Sequence, residues 1–334
     1  MIAQWMAGGT PFVSDAMGAT MATPRSTDPP HLSADEAFSI LGDDTRLRIL
    51  RVLGDADGAM QFSDLQSAVG YEASGNFSYH LEKLTGNFIE KTDEGYALQL
   101  PGRRVITAIQ SGLIREERVR ERAEIEEPCL LCGGTVEVEL GPGGVAKYCT
   151  ACPGVFRDRR EGAKADNGYL GTLGLPPAGF HERSPEEAYR AAQLWANLAR
   201  MARSHGICPK CSAALEQDIE VCEDHDADQG VCAACGMTLQ VHLHSECTNC
   251  IYHIHEGIGA RFYGRSPMLS FLLDAGANPV SSTATERPPF DHAVDAHDPF
   301  RGRFIYYGDD ELFEITFDDS MELVEVTRRP VDRP

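Results

Sequence analysis

Lysine is scarce in this chain. Only Lys83, Lys91, Lys147, Lys164 and Lys210 are lysines among 30 basic residues, set against 51 acidic ones, and the formal net charge is -21. Such a balance ordinarily argues against a nucleic-acid partner. Long apolar runs are also missing: nothing approaches the roughly 18 residues that a membrane span needs, so no membrane partner is expected. Residues 1–31 lack a basic n-region and a sustained apolar core, so a signal peptide is not expected. Their Gly, Thr, Ala and Pro predict a disordered tail, and Met6, Met17 and Met21 offer alternative starts. A cytoplasmic protein is expected. No nucleophile–base pattern, phosphate loop or open metal triad is recognisable, so an enzyme is not expected.

At 334 residues the chain can hold two or three domains, each with a core. Residues 32–127 read as helical around one hairpin. Ser33 with Glu36 makes a capping box, and Ala37, Ile40 and Leu41 share an apolar face. Leu47, Ile49, Leu50, Val52 and Leu53 predict the buried face of the next helix. "FSDLQSAVG" predicts a short helix capped by Ser63 and closed near Gly70. Phe77, Leu81, Leu84 and Phe88 then recur at helical spacing, and "FIEKTDEGYALQL" alternates around a Gly-bearing turn, a hairpin signal. "PGRRVITAIQSGLIREERVRERAEIEE" predicts one long helix.

That order is helix, helix, short helix, helix, wing, helix. "DDTRLRILRVL" and "SGNFSYHLEKL" resemble the ArsR-type winged helix-turn-helix regulators over about 90 residues. The resemblance implies binding of double-stranded DNA. It places Gly75, Asn76, Ser78 and Tyr79 where that family touches DNA. Physically, Phe77, Leu81 and Leu84 hold the helix while Ser74, Asn76, Ser78, Tyr79 and Lys83 occupy its front or flank. Asn76 suits an adenine edge in the major groove, and Lys91, Arg103 and Arg104 suit phosphates. Asp93 and Glu94 at the wing tip would repel phosphates. The family's metal-sensing Cys-x-Cys segment has no counterpart in "FSDLQSAVG", so metal sensing is not carried over.

The excess of Asp and Glu, with Arg replacing Lys, resembles proteins of salt-loving archaea. In molar salt the Debye length is about 3 Å, and long-range repulsion from DNA is largely screened. The whole layout resembles a haloarchaeal group of ArsR-like regulators with C-terminal zinc ribbons, through "LPPAGFHERSPEEAYRAA", "CPKC", "CTNCIY" and "MLSFLLDAG".

Eleven cysteines argue against a closed disulfide framework in a reducing compartment. Paired C-x-x-C knuckles suit a tetrahedral Zn²⁺. Cys129, Cys132, Cys149 and Cys152 flank "TVEVELGPGGVAKY", which reads as a hairpin able to join them. Further on come "CPKC", "CEDH", "CAAC" and "CTNC". If "SAALEQDIEV" and "MTLQVHLH" pair as antiparallel strands, the sites nest. Cys208, Cys211, Cys247 and Cys250 then meet at the base, and Cys222, His225, Cys232 and Cys235 at the tip, about 25–30 Å away at about 3.3 Å per residue. One imidazole completes three tetrahedra, so three structural zinc ions are expected. His242, His244, His253 and His255 are expected as surface or packing residues, with an additional metal site as the sharper alternative.

An α+β chain is therefore predicted. It has a disordered tail (1–31), a winged helix-turn-helix (32–127), a first zinc ribbon (128–160), and a linker with an amphipathic helix (161–206). A nested two-zinc ribbon (207–256) and a small α+β meander (257–334) follow. In the helix, Ser184 caps, Pro185 starts, and Ala188, Ala192, Trp195, Leu198 and Met201 or Ala202 form the buried stripe. The expected function is a transcriptional regulator, its expected partners being promoter DNA and a second copy joined along helix 101–122. The alternative is a basal-transcription accessory factor or docking module that touches the transcription machinery.

Overall fold

The computed structural model describes residues 32–72, 74–112, 122–141, 143–155, 168–226 and 232–330. The expected tail, 1–31, lies outside them. The chain is mixed α+β and divides into two compact units, the division falling between Arg103 and Arg104 in the sequence.

In the first unit, α1 (Ala34–Leu41) opens on the expected capping box: Ser33 Oγ accepts the Glu36 N–H, and the Glu36 carboxylate accepts the Ser33 N–H. Helix α2 (Asp44–Asp55) starts at Asp43, whose carboxylate accepts the Arg46 N–H, and it buries Thr45, Ile49, Leu50 and Leu53. Leu47 and Val52 are only half-buried. Helix α3 (Phe62–Val69) begins two residues earlier than expected, with Gln61 at the cap position and no side-chain cap. Ser63 Oγ instead turns to the Asp64 carboxylate. Gly70, at φ 71°, ends the helix in the left-handed conformation that glycine favours.

Helix α4 (Ser74–Leu84) is held by Phe77, Leu81 and Leu84, all buried. Strands β1 (Ile89–Thr92) and β2 (Gly95–Leu98) form the predicted antiparallel hairpin. Met60 joins its edge: Met60 N–H donates to the Tyr96 carbonyl and Tyr96 N–H to that of Met60, at 2.9 and 2.8 Å. Gly95 sits at φ 123°, and a Cβ there would lie 2.2 Å from the Met60 carbonyl oxygen.

Helix α5 (Leu100–Gln110) is shorter than the helix predicted to run through residue 127. Residues 113–121, part of the expected dimer seam, lie outside the described residues. Residues 122–125 are a strand, β3 (Arg122–Ile125). Pairing explains the difference. Ile125 is buried opposite Val136, while Arg122 reaches the carboxylates of Glu137 and Glu139 at 3.4 and 3.3 Å.

Strand β3 starts a four-stranded antiparallel meander with β4 (Val136–Gly141), β5 (Gly144–Cys149) and β6 (Tyr169–Leu173). Only the β4–β5 hairpin was legible. Helix α6 (Pro185–Ser204) opens on the expected cap Ser184, which forms a capping box with Glu187. Its buried face is not the expected stripe. Ala188 and Ala192 are buried, but Tyr189, Gln193 and Asn197 are buried beside them, and Trp195 and Leu198 are 51% and 41% exposed. Hydrogen bonds set this rotation. Tyr189 donates to Glu127, Gln193 to Asn197, and the Asn197 amide to the carbonyls of Val280 and Ser282. A hydropathy stripe cannot register polar residues whose partners lie elsewhere in the chain.

After α6, β7 (Leu215–Val221), β8 (Val241–Cys247) and β9 (His253–Gly257) form a three-stranded antiparallel sheet. Strand β8 starts at Val241, later than "MTLQVHLH" suggested. Helix α7 (Ser266–Asp274) precedes a second four-stranded meander: β10 (Phe290–His297), β11 (Phe300–Tyr307), β12 (Glu311–Asp318) and β13 (Leu323–Pro330). Strand β10, with its acidic "FDHAVDAH", was not foreseen. Val241 and Leu243 of β8 share one core with Phe262, Phe271, Phe304, Phe313 and Phe317. The ribbon and the meander, expected as separate modules, are thus packed together within a single compact unit.

Candidate metal centres

Three loops fold alike, and the backbone shows why. Cys129 N–H donates to the Gly134 carbonyl while Gly133 N–H donates back to that of Cys129. Cys208 does the same with Ala213 and Ser212, and Cys232 with Met237 and Gly236. The residue four after each cysteine is left-handed: Gly133 at φ 70°, Ser212 at 63° and Gly236 at 75°. Each turn thus presents both cysteines of a C-x-x-C pair to one point. Backbone N–H groups two residues on also aim at sulfur: Leu131 at Cys129, Ala151 at Cys149, Lys210 at Cys208 and Asn249 at Cys247, at 3.3–3.4 Å. Such donors favour thiolate over thiol.

These turns bring together the twelve predicted ligands in the predicted sets. Cys129, Cys132, Cys149 and Cys152 form one tetrad, Cys208, Cys211, Cys247 and Cys250 a second, and Cys222, His225, Cys232 and Cys235 a third. Sulfurs approach to 3.7 Å between Cys129 and Cys152, 3.5 Å between Cys132 and Cys149, 3.7 Å between Cys208 and Cys250, and 3.4 Å between Cys211 and Cys247. A disulfide needs about 2.05 Å. A tetrahedral metal with bonds of about 2.3 Å to sulfur sets its ligands about 3.8 Å apart. The spacing fits a metal centre and not a disulfide.

The nesting follows from register. Leu215 lies opposite Cys247 and Val221 opposite Val241, so the second and third tetrads sit at opposite ends of the β7–β8 ribbon. Six steps of about 3.3 Å separate the ends by roughly 20 Å, less than expected because β8 starts late. In the third tetrad His225 Nδ1 lies 3.6 Å from Cys235 Sγ, and its Nε2 lies 3.3 Å from the Thr238 carbonyl. That outer contact orients the ring so that Nδ1 faces the cluster, a common arrangement for a metal-bound imidazole.

Electrostatics within each tetrad is uneven. Burial alone would raise Cys149, but N–H groups of Ala151 and Cys152 bring it to about 7. Burial opposes Cys247 too, and the N–H groups of Asn249 and Cys250 bring it to about 6. Cys232 falls to about 6 through N–H groups of Cys235 and Asp226. Cys152, Cys235 and Cys250 are pushed up to about 12, Cys152 and Cys235 chiefly by burial and all three by neighbouring sulfurs. Massing four such donors is unfavourable unless a cation neutralises them. All four positions come from the protein, so each tetrad is closed, the pattern of a structural rather than a catalytic centre.

The residues foreseen as DNA contacts lie on α4 and nearby. Gly75, Asn76, Ser78, Tyr79 and Lys83 are exposed, opposite the buried Phe77, Leu81 and Leu84. Ser74 begins the helix, and its side chain lies outside the described set. Lys83 Nζ rests 5.5 Å from the centre of the Tyr79 ring and Lys91 Nζ 5.7 Å from that of Tyr96. Lys91, Arg103 and Arg104 are exposed, as are Asp93 and Glu94 at the hairpin tip.

One grouping went unforeseen as a unit. Glu220, His242 and His255 bring one possible ligand atom each within 4.8 Å of one another. The alternation of His242, His244, His253 and His255 hinted at it. The missing piece was Glu220, which only strand pairing places beside them. No helix among the described residues is long and apolar enough to cross a membrane.

Residues 34–109 match the family model described as "Domain of unknown function (DUF7347)". Residues 126–323, more than half of the chain, match the one described as "Domain of unknown function (DUF7351)". No curated protein and no solved structure matches the chain.

Proposed function

Because the chain belongs to the family described as "Domain of unknown function (DUF7351)", which brings no activity with it, we propose a function from the residues: a DNA-binding transcriptional regulator stabilised by three structural zinc ions. The first unit acts as a winged helix-turn-helix. Helix α4 is its reading helix, and the β1–β2 hairpin is its wing. The carrying observation is the two-faced α4, anchored by Phe77, Leu81 and Leu84 and presenting Gly75, Asn76, Ser78 and Tyr79 outward. A helix so held can lay short polar groups against base edges in a major groove. Lys83, Lys91, Arg103 and Arg104 would position it on phosphates. Zinc is favoured in the tetrads because thiolate-rich, closed, tetrahedral sets suit it. Two copies would bind together on one operator.

A second reading has its own support. Residues 32–103 carry twelve acidic and six basic side chains, and the hairpin tip presents Asp93 and Glu94. That charge suits docking on the transcription machinery without reading sequence.

Asn76→Ala decides between them. In binding assays at molar salt, loss of a bidentate base contact weakens the preferred promoter by about 1–3 kcal/mol relative to unrelated DNA. Binding by the parent protein that is indifferent to sequence, and unchanged in Asn76→Ala, would refute sequence reading and favour docking.

A further inference from the structure

The three-stranded sheet has two unlike faces. One carries Val241, Leu243 and Ser245 into the core. The other carries Asp218 and Glu220 of β7, His242, His244 and Glu246 of β8, and His253 and His255 of β9. Register orders this face. Glu220 lies directly opposite His242, and His255 lies opposite His244, one step diagonal to His242. Diagonal neighbours on one sheet face are within reach of long side chains. The rings of His242 and His255 meet edge to face, 4.9 Å between centres.

His242 distinguishes the cluster from an ordinary polar surface. It is 0% exposed. Its Nε2 lies 2.7 Å from the Leu239 carbonyl, so that nitrogen carries the proton and donates it. Nδ1 is left with a lone pair, buried and with no hydrogen-bond partner. A buried acceptor with no partner is costly. The arrangement is that of a metal-bound imidazole, whose second nitrogen donates to a carbonyl and whose first faces the ion. His225 in the third tetrad is oriented the same way, by the Thr238 carbonyl.

We propose that Glu220, His242 and His255 form a fourth metal site, which takes a divalent first-row transition cation through His242 Nδ1, an imidazole nitrogen of His255 and the Glu220 carboxylate. Two imidazoles and a carboxylate suit such an ion. Bonds of about 2.0–2.2 Å require the donors to close in from 4.8 Å. The side chains of Glu220 and His255 are 66% and 34% exposed and can make that move. His244 is not a ligand: its two nitrogens already face Asp218 and Glu246, at 3.6 and 3.5 Å. With three protein donors the site is open, leaving water in the remaining positions. It differs from the closed tetrads in donors, in exposure and in ease of exchange. It does not depend on the DNA-binding reading.

The test adds cobalt(II) to the full-length protein, with its tetrads already metal-loaded, at molar KCl. Calorimetry counts the ions taken up, and absorbance reports thiolate-to-cobalt charge transfer. One cobalt per chain is expected to bind without a charge-transfer band. His255→Ala and Glu220→Gln, both at exposed positions, should each weaken it at least about tenfold, with the tetrad metals retained by elemental analysis. The site does not exist if no cobalt binds, if all bound cobalt shows the thiolate band, or if both variants bind it as tightly as the parent.

Discussion

At the scale of single residues, backbone conformation decides more than side-chain chemistry. Gly95 holds the hairpin to Met60 at a φ that other residues rarely adopt, with no room for a Cβ. Gly95→Ala should therefore cost roughly 2–4 kcal/mol, lowering the thermal midpoint of the first unit while the tetrads keep their metal. Equal stability of the variant would show that the close Met60 contact is not maintained in solution. The tetrad turns repeat the theme. Gly133 and Gly236 stand at left-handed positions, and Ser212 occupies the third. Much of this was readable from spacing: C-x-x-C pairs name their own ligands, and odd cysteine arithmetic pointed to His225. The position of Glu220 was not readable, because a cross-strand neighbour appears only once the register is known. Tyr189, Gln193 and Asn197 were equally hidden, since their burial depends on partners such as Glu127, Val280 and Ser282.

At the scale of elements, α6 is the piece that the rest of the second unit is built around. Its first half buries Ala188, Tyr189 and Ala192 against β4 and β5. Its second half places Met201 against the aromatic core below α7 and β11. Arg203 binds Glu256 of β9 through two bonds of 2.7 Å. Beneath the first half lies Lys147, 7% exposed, its ammonium 5.4 Å from the centre of the Tyr189 ring. Burial pulls the Lys147 pKa down, and the charge of Glu127 opposes that fall. Removing the carboxylate alone strands a buried cation. Glu127→Ala should then destabilise the second unit by about 3–5 kcal/mol, while the double variant Glu127→Ala with Lys147→Met recovers much of the loss. Denaturant midpoints of the two variants check this, and additive losses would count against it. Strand edges were the least legible elements. Strand β3 reads as the tail of a helix because Arg and Glu dominate it, yet those charges pair across the sheet.

For the whole molecule, metal and core are shared unequally. All three tetrads lie in the second unit, and none of their ligands lies in residues 32–103. Closed zinc sites contribute on the order of 10–16 kcal/mol of apparent binding in small zinc-finger peptides. Chelation should therefore strip hydrogen-exchange protection from β4, β5, β7 and β8 while α2 and α4 keep theirs. Retained protection in the chelated ribbon strands would mean that the aromatic core alone suffices. The helical first unit and the paired cysteines were visible in the sequence. The merging of ribbon and meander was not, because Val241 and Leu243 read as any strand's inner face until Phe304 and Phe317 are found against them.

The central place of α6 also sets a clock for synthesis. Strands β3 to β6 are complete when residue 173 leaves the ribosome, but the helix that covers them ends at Ser204. At about 5–20 residues per second, the apolar side of the newborn sheet waits roughly two to six seconds for its cover. During that interval only the first cysteine tetrad, whose last ligand is Cys152, is fully synthesised. Metal captured there would act as a provisional clasp, holding the hairpin in register until the helix arrives.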